Sequence, residues 1–196
     1  MWYPACSGRF SQNDSVGIWD AFVRKSGLTD PDFRSTVLTI SCIPYGRTAS
    51  PTAAGVVHDW RGTCSTKHLL LRDLVGERWQ SIDVQLWHRV YRLTPELARA
   101  KWGPTVASTV PFDGLIDVHN YATVRVAGAP VIIDVTFPIT MWDGTSPMSV
   151  ASGPGEDQPA GHDLMAEKQR LVTKYCEPAK REPFITALSG SMGTDQ

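Results

Sequence analysis

The chain has 196 residues, 42% of them hydrophobic, enough for one domain with a substantial core. Its 19 lysines and arginines nearly balance 20 aspartates and glutamates, for a net charge of −1. Neither a basic surface for nucleic acid nor an acidic solvating tail is therefore expected. Apolar runs such as Val131-Ile132-Ile133 fall far short of the roughly 20 residues that cross a membrane. The opening MWYPACSGRF lacks the basic start and apolar run of a signal peptide, so a cytoplasmic location is expected.

Residues 1–15 are polar and irregular and read as loose. In IWDAFVRKSG, residues 18–27, the apolar positions 18, 19, 22 and 23 have helical spacing, and a glycine closes the segment. FRSTVLTISCIP is open to two readings: its β-branched residues suit a strand, yet it also fits a helix ending before Pro44. Residues 44–62, punctuated by Pro and Gly, read mostly as loop. Cys64 to Leu74 reads as a helix with a Leu70, Leu71 and Leu74 stripe, stopped at Gly76.

WQSIDVQLWHRVYRL, residues 79–93, alternates like a strand. Thr94-Pro95 starts a short helix, with Thr as cap and Pro at the first helical position. Residues 103–117 read as loop, and 118–138 as a β-hairpin: one strand to Val126, a turn over Ala127 to Pro130, a second strand over Val131 to Thr136. Residues 143–161, rich in Gly, Pro and Ser, read as a flexible loop that serves either as a lid or as a connector. A helix over His162 to Cys176 is ended by Pro178, and 190–196 reads as frayed. Helices early and strands later make the fold class α+β, with N-terminal helices packed on an antiparallel sheet, in one domain over 1–196.

Cys6, Cys42, Cys64 and Cys176 are spaced too widely for a zinc pattern, and no disulfide framework is expected in a reducing compartment. Cys42 and Cys176 read as small buried hydrophobes. Cys64 differs because it starts a helix, where free N–H groups and the helix dipole favour a thiolate and can bind an oxyanion. The glycine before it permits a close approach.

A cysteine nucleophile needs a base, and the base needs an orienting acceptor. Among His58, His68, His88, His119 and His162, the histidine nearest in sequence is His68, which reads as a helix-surface residue. His88 and His162 have no evident partner. His119 opens a hairpin strand and Asp134 follows fifteen residues later on the return strand. Both side chains emerge on one face of the sheet. A turn centred on Gly128-Ala129 leaves them four positions out of register, roughly 13 Å at about 3.3 Å per residue. A turn two residues earlier pairs them directly, and an intermediate centre with a bulge brings them close. An unpartnered Asp134 between Ile133 and Val135 would be costly, which favours the pair.

Gly62-Thr63-Cys64 at a helix start, His119 opening a strand, and Asp134-Val135-Thr136 fifteen residues on, in that order, resemble the transglutaminase-like superfamily. The resemblance covers about residues 60–138. The related arylamine N-acetyltransferases share the His-to-Asp spacing but carry Arg-Gly-Gly before the cysteine, where this chain has Arg61-Gly62-Thr63. The resemblance implies a papain-like cysteine-enzyme core and a thiol mechanism without cofactor or metal. Cys64 would attack an amide, ester or thioester carbonyl, His119 would carry the proton, and Asp134 would orient the imidazole. Water or an amine acceptor would resolve the thioester. The Cys64 N–H and a group from the preceding loop, Trp60 or His58, would bind the oxyanion. A small-molecule or peptide carbonyl substrate is expected as partner, with no nucleic acid and no membrane. Two other readings remain open at this point: a catalytically inactive binding or scaffold module, and a metal site formed by Cys64, His68 and His119.

Overall fold

The computed structural model describes residues 17–126 and 128–191, so Cys6, the expected loose start at 1–15 and residues 192–196 lie outside the described residues, whereas Gly190 and Ser191 of the end expected to fray belong to the last helix. The chain forms, in order, α1 (Ile18–Ser26), α2 (Phe33–Cys42), α3 (Ala53–Asp59), α4 (Cys64–Arg78), β1 (Val84–Leu93), α5 (Pro95–Ala107), β2 (Leu115–Val126), β3 (Ala129–Ile133), β4 (Gly155–Pro159), α6 (Leu164–Tyr175) and α7 (Pro178–Ser191). The four strands make an antiparallel sheet in the order β3-β2-β1-β4. This is an α+β fold. No helix among the described residues is long and apolar enough to cross a membrane.

The ambiguous segment before Pro44 is helical. Asp32 caps it, its carboxylate accepting the Ser35 N–H at 2.7 Å, and Val37 and Ile40 are buried one turn apart. Within the expected loop at 44–62, α3 forms behind a Thr52 cap that accepts the Gly55 N–H at 3.0 Å. At seven residues it is too short for its periodicity to be read. Helix α4 continues through Gly76 to Arg78, and α5 extends beyond the short helix expected, kinked at Gly103-Pro104. Cys42 is exposed rather than buried, whereas Cys176 is buried.

Helix α4 is the centre of the fold. Leu70, Leu71, Leu74 and Val75 are wholly inaccessible and pack with Phe22, Val37, Ile40 and Val56 of the preceding helices and with Leu86, Ala122 and Val124 of the sheet. Burial of this kind is worth about 1.5–3 kcal/mol per large aliphatic side chain. The polar first turn is buried too: Ser65, Thr66, Lys67 and His68 are each no more than 2% exposed. Gly62 explains how this is possible. A Cβ there would lie 2.7 Å from Cγ of Lys67 and 3.2 Å from Val56. The close approach that this glycine permits is made by the chain itself.

The β2–β3 register decides where the site forms. Val126 pairs with Ala129 and Ala122 with Ile133. The hairpin therefore turns one residue earlier than a centre on Gly128-Ala129, with Gly128 at φ 87°. β3 stops at Ile133, so β2 has a free edge from Leu115 to Tyr121.

β4 forms inside the expected flexible loop. Its sequence GEDQP has no apolar alternation; ladder bonds to β1 and a two-pronged Arg89–Asp157 ion pair (2.6 and 2.7 Å) hold it. A Cβ on Gly155 would lie 2.3 Å from the Val90 carbonyl oxygen. Gly155→Ala is accordingly expected to lift β4 from β1. Hydrogen exchange should accelerate at 156–159 and leave β1–β2 amides protected; unchanged exchange at 156–159 would contradict this strand's dependence on the glycine.

Candidate active site

Thr63 caps α4 from an extended conformation, and Thr66 Oγ1 accepts its N–H at 2.9 Å. Cys64 is thus the first helical residue, 5% exposed, at the positive end of a 15-residue helix. His119 stands on the free edge of β2. Asp134 follows the last residue of β3, two positions out of register with His119, a diagonal neighbour on the same face. The His119 Nε2–H donates to Asp134 Oδ2 at 2.7 Å. The other ring nitrogen is left for Cys64, which lines the same small hollow as the imidazole. The three residues that sequence order grouped are brought together.

The carboxylate of Asp134 accepts two further bonds, from the Thr136 N–H (3.0 Å, to Oδ1) and the Ala151 N–H (2.8 Å, to Oδ2). Burial opposes its ionisation, but His119 and these donors hold it well below the usual carboxylate range. Ala151 comes from the Gly/Pro/Ser-rich segment after Trp142, which therefore lies against the site.

Lys168 is the residue that sequence reasoning missed. It sits on α6, a helix of mixed charge, yet it is 8% exposed and its Nζ lies 3.1 Å from Cys64 Sγ and 2.8 Å from Ser65 Oγ. A chain of bonds fixes it. Both amide hydrogens of Asn120 are used, on the Trp87 carbonyl (3.0 Å) and His88 Nδ1 (2.7 Å). Asn120 Oδ1 must therefore accept the Ser65 hydroxyl (2.9 Å), which leaves Ser65 Oγ to accept from Lys168.

The charges follow from this geometry. Burial alone would raise the Cys64 thiol, as it raises Cys176 to about 11. At Cys64 the Lys168 ammonium and His119 outweigh burial and bring the thiol down to about 6. Burial likewise opposes the imidazolium, but Asp134 and Cys64 lift His119 to about 10. The lowered thiol contributes stability that is lost as pH falls through about 6. The raised imidazole contributes stability that is lost as pH rises through about 10. Between those limits the pair is thiolate and imidazolium.

His68 is a correction. It is wholly buried, not on the helix surface. Its Nε2 accepts the Val135 N–H (3.2 Å), so Nδ1 carries the hydrogen and donates to the Cys64 carbonyl at 2.6 Å. It joins the first turn of α4 to the strand end that carries Asp134. Beside it, Lys67 Nζ donates to the carbonyls of Ser41 (2.9 Å), Ile43 (2.8 Å) and Thr136 (2.9 Å). The His68 ring is committed to backbone groups, and no cluster of three or more His, Cys, Asp or Glu among the described residues is arranged to hold a metal. The two loop residues expected at the oxyanion lie elsewhere. His58 is 87% exposed and paired with Asp59, and Trp60, at φ 48°, packs on Phe22. His162 follows β4, at the margin of a shallow surface hollow.

Cys64 lines one small hollow, and its neighbours Ser65 and Lys168 line a larger one. On the His119 side, Tyr91, Asp117 and Phe184 close a space of about 10 Å³, room for about one water. On the other side a hollow of about 270 Å³ has Ser65 and Lys168 in its wall. A wider hollow of about 600 Å³ opens behind Asp134, between Arg34 and Trp142, and Cys64 does not line it. Comparison with protein-family models, curated proteins and solved structures finds no match to the chain.

Burial pushes His68 and His88 down to about 4. As pH falls from about 6.5 the unfolded chain takes up protons that the folded chain refuses until about 4. Stability is therefore expected to fall across that window. The urea midpoint should be lower at pH 4.5 than at pH 7, and His68→Gln should flatten the difference; equal midpoints in the unaltered protein would contradict the buried neutral histidines.

Proposed function

We propose that the chain is a thiol-dependent acyl-transfer enzyme with a transglutaminase-like, papain-like core. The observation that carries the reading is the line Cys64, His119, Asp134: a thiol at a helix N-terminus, an imidazole against it, and a buried carboxylate 2.7 Å behind the imidazole. The Cys64 thiolate attacks an amide, ester or thioester carbonyl of a small molecule or peptide. The S–C bond forms and the carbonyl π electrons move to oxygen. The tetrahedral intermediate collapses, the C–X bond breaks, and His119 protonates the leaving group. Asp134 keeps the ring oriented and stabilises its charged form. Water or an amine, deprotonated by His119, then releases the acyl group and restores the thiolate. The free N–H of Cys64 is one oxyanion donor.

The confined space on the His119 side favours a second reading, a domain that has kept the fold and lost turnover, serving as a binding or scaffold module. Full biological activity in a Cys64→Ala variant would establish that reading.

Iodoacetamide labelling across pH, read residue by residue by mass spectrometry, tests the first. The Cys64 rate should rise with a midpoint near 6, and His119→Ala should move the midpoint upward. A midpoint near 8.5–9, the range of a free thiol, would contradict the ion pair.

A further inference from the structure

We infer that Lys168 is a catalytic residue, the second oxyanion donor, for an acyl group seated in the hollow that Ser65 and Lys168 wall. The inference rests on the acyl-transfer reading and supplies what that reading lacks, a side-chain partner for the developing oxyanion.

The route to the sulfur argues for it first. The space on the His119 side admits no acyl group at about 10 Å³. Cys64 does not line the hollow of about 270 Å³; its wall residues Ser65 and Lys168 connect it to the sulfur, at 3.9 and 3.1 Å from Sγ. Its other walls set Tyr45, Met165, Val172 and Ile185 beside Arg47 and Arg181, which suits a short acyl chain with an apolar stem. A carbonyl carbon that reaches Sγ from this side carries its oxygen past Nζ.

The donor count argues for it next. An ammonium has three N–H groups. Two are used, on Sγ and on Ser65 Oγ, and the third has no partner among the described residues. When Sγ attacks, its negative charge passes to the carbonyl oxygen one bond away, and the N–H that faced the thiolate is released at the same moment. The Ser65–Asn120–His88 chain holds Nζ in place, so the donor is ordered before the reaction. Contact with the thiolate alone would stabilise the ground state; the gain in rate comes from contact with the oxyanion.

Two reactions of the same sulfur separate these roles. Acylation by p-nitrophenyl butyrate passes through an oxyanion, whereas alkylation by iodoacetamide does not. Their rate ratio at one pH cancels the thiolate fraction. In Lys168→Met the ratio is expected to fall by about 100-fold or more, the usual loss of an oxyanion donor. A ratio within about threefold of the unaltered protein would overturn the assignment and leave Lys168 as a thiolate partner only. Lys168→Gln retains a neutral N–H for Ser65 and serves where the methionine variant does not fold. Its ratio should fall by about tenfold, and an unchanged ratio overturns the assignment equally. Val172→Trp, which fills the hollow, should abolish acylation by the butyrate and spare alkylation; unimpaired acylation would overturn the acyl seat. Failure of the underlying reading looks different: the unaltered protein would then show no p-nitrophenol burst and no butyryl adduct on Cys64.

Discussion

The buried carboxylate of Asp134 is the constraint on which the site depends. A charge removed from water costs several kcal/mol unless its lone pairs are occupied. Here three donors occupy them: the His119 ring, the Thr136 N–H and the Ala151 N–H. Each ties a different part of the chain to the same point. His119 brings the free edge of β2, Thr136 the turn that follows β3, and Ala151 the long segment after Trp142. With its Nε2 committed to the carboxylate, the imidazole can only present its other nitrogen to Cys64.

Around this point the charges alternate. Lys168 lies on one side of the Cys64 sulfur and His119 on the other, with Asp134 beyond His119. A cation on either side explains why a thiol as buried as Cys176 ionises where Cys176 does not. The backbone beneath is held as firmly. His68 bonds the Cys64 carbonyl and the Val135 N–H, and Lys67 gathers three carbonyls from α2, the turn after it and Thr136. The first turn of α4 therefore combines two functions. One face presents the sulfur, and the other fastens helix, loop and strand end into one unit.

Much of this was legible in the sequence where short-range signals carry it. The helix start at Cys64, the leucine stripe and the hairpin flanking Gly128 are local patterns, and they placed Cys64, His119 and Asp134 on the right elements. The contact between the last two was only permitted. It required a turn one residue earlier and the end of β3 at Ile133, and neither is written in the alternation of apolar residues. Lys168 was invisible because its partners lie 103 and 104 residues away on a different helix, and a lysine among Glu167 and Arg170 looks like any solvated face. His68 was misjudged for the opposite reason: it lies in the first turns of a helix, where polar residues are normally exposed. β4 is held by an ion pair and a glycine contact instead of apolar burial, so hydrophobic periodicity could not mark it.

The protonation state of the His119 ring tests the account most directly. Nitrogen-15 NMR of the labelled imidazole at pH 8 should show both ring nitrogens protonated, with the charge persisting to about pH 10 and lost at a lower pH in Cys64→Ala. A neutral ring at pH 8, with the same titration in the unaltered protein and the variant, would contradict a thiolate–imidazolium pair held by Asp134.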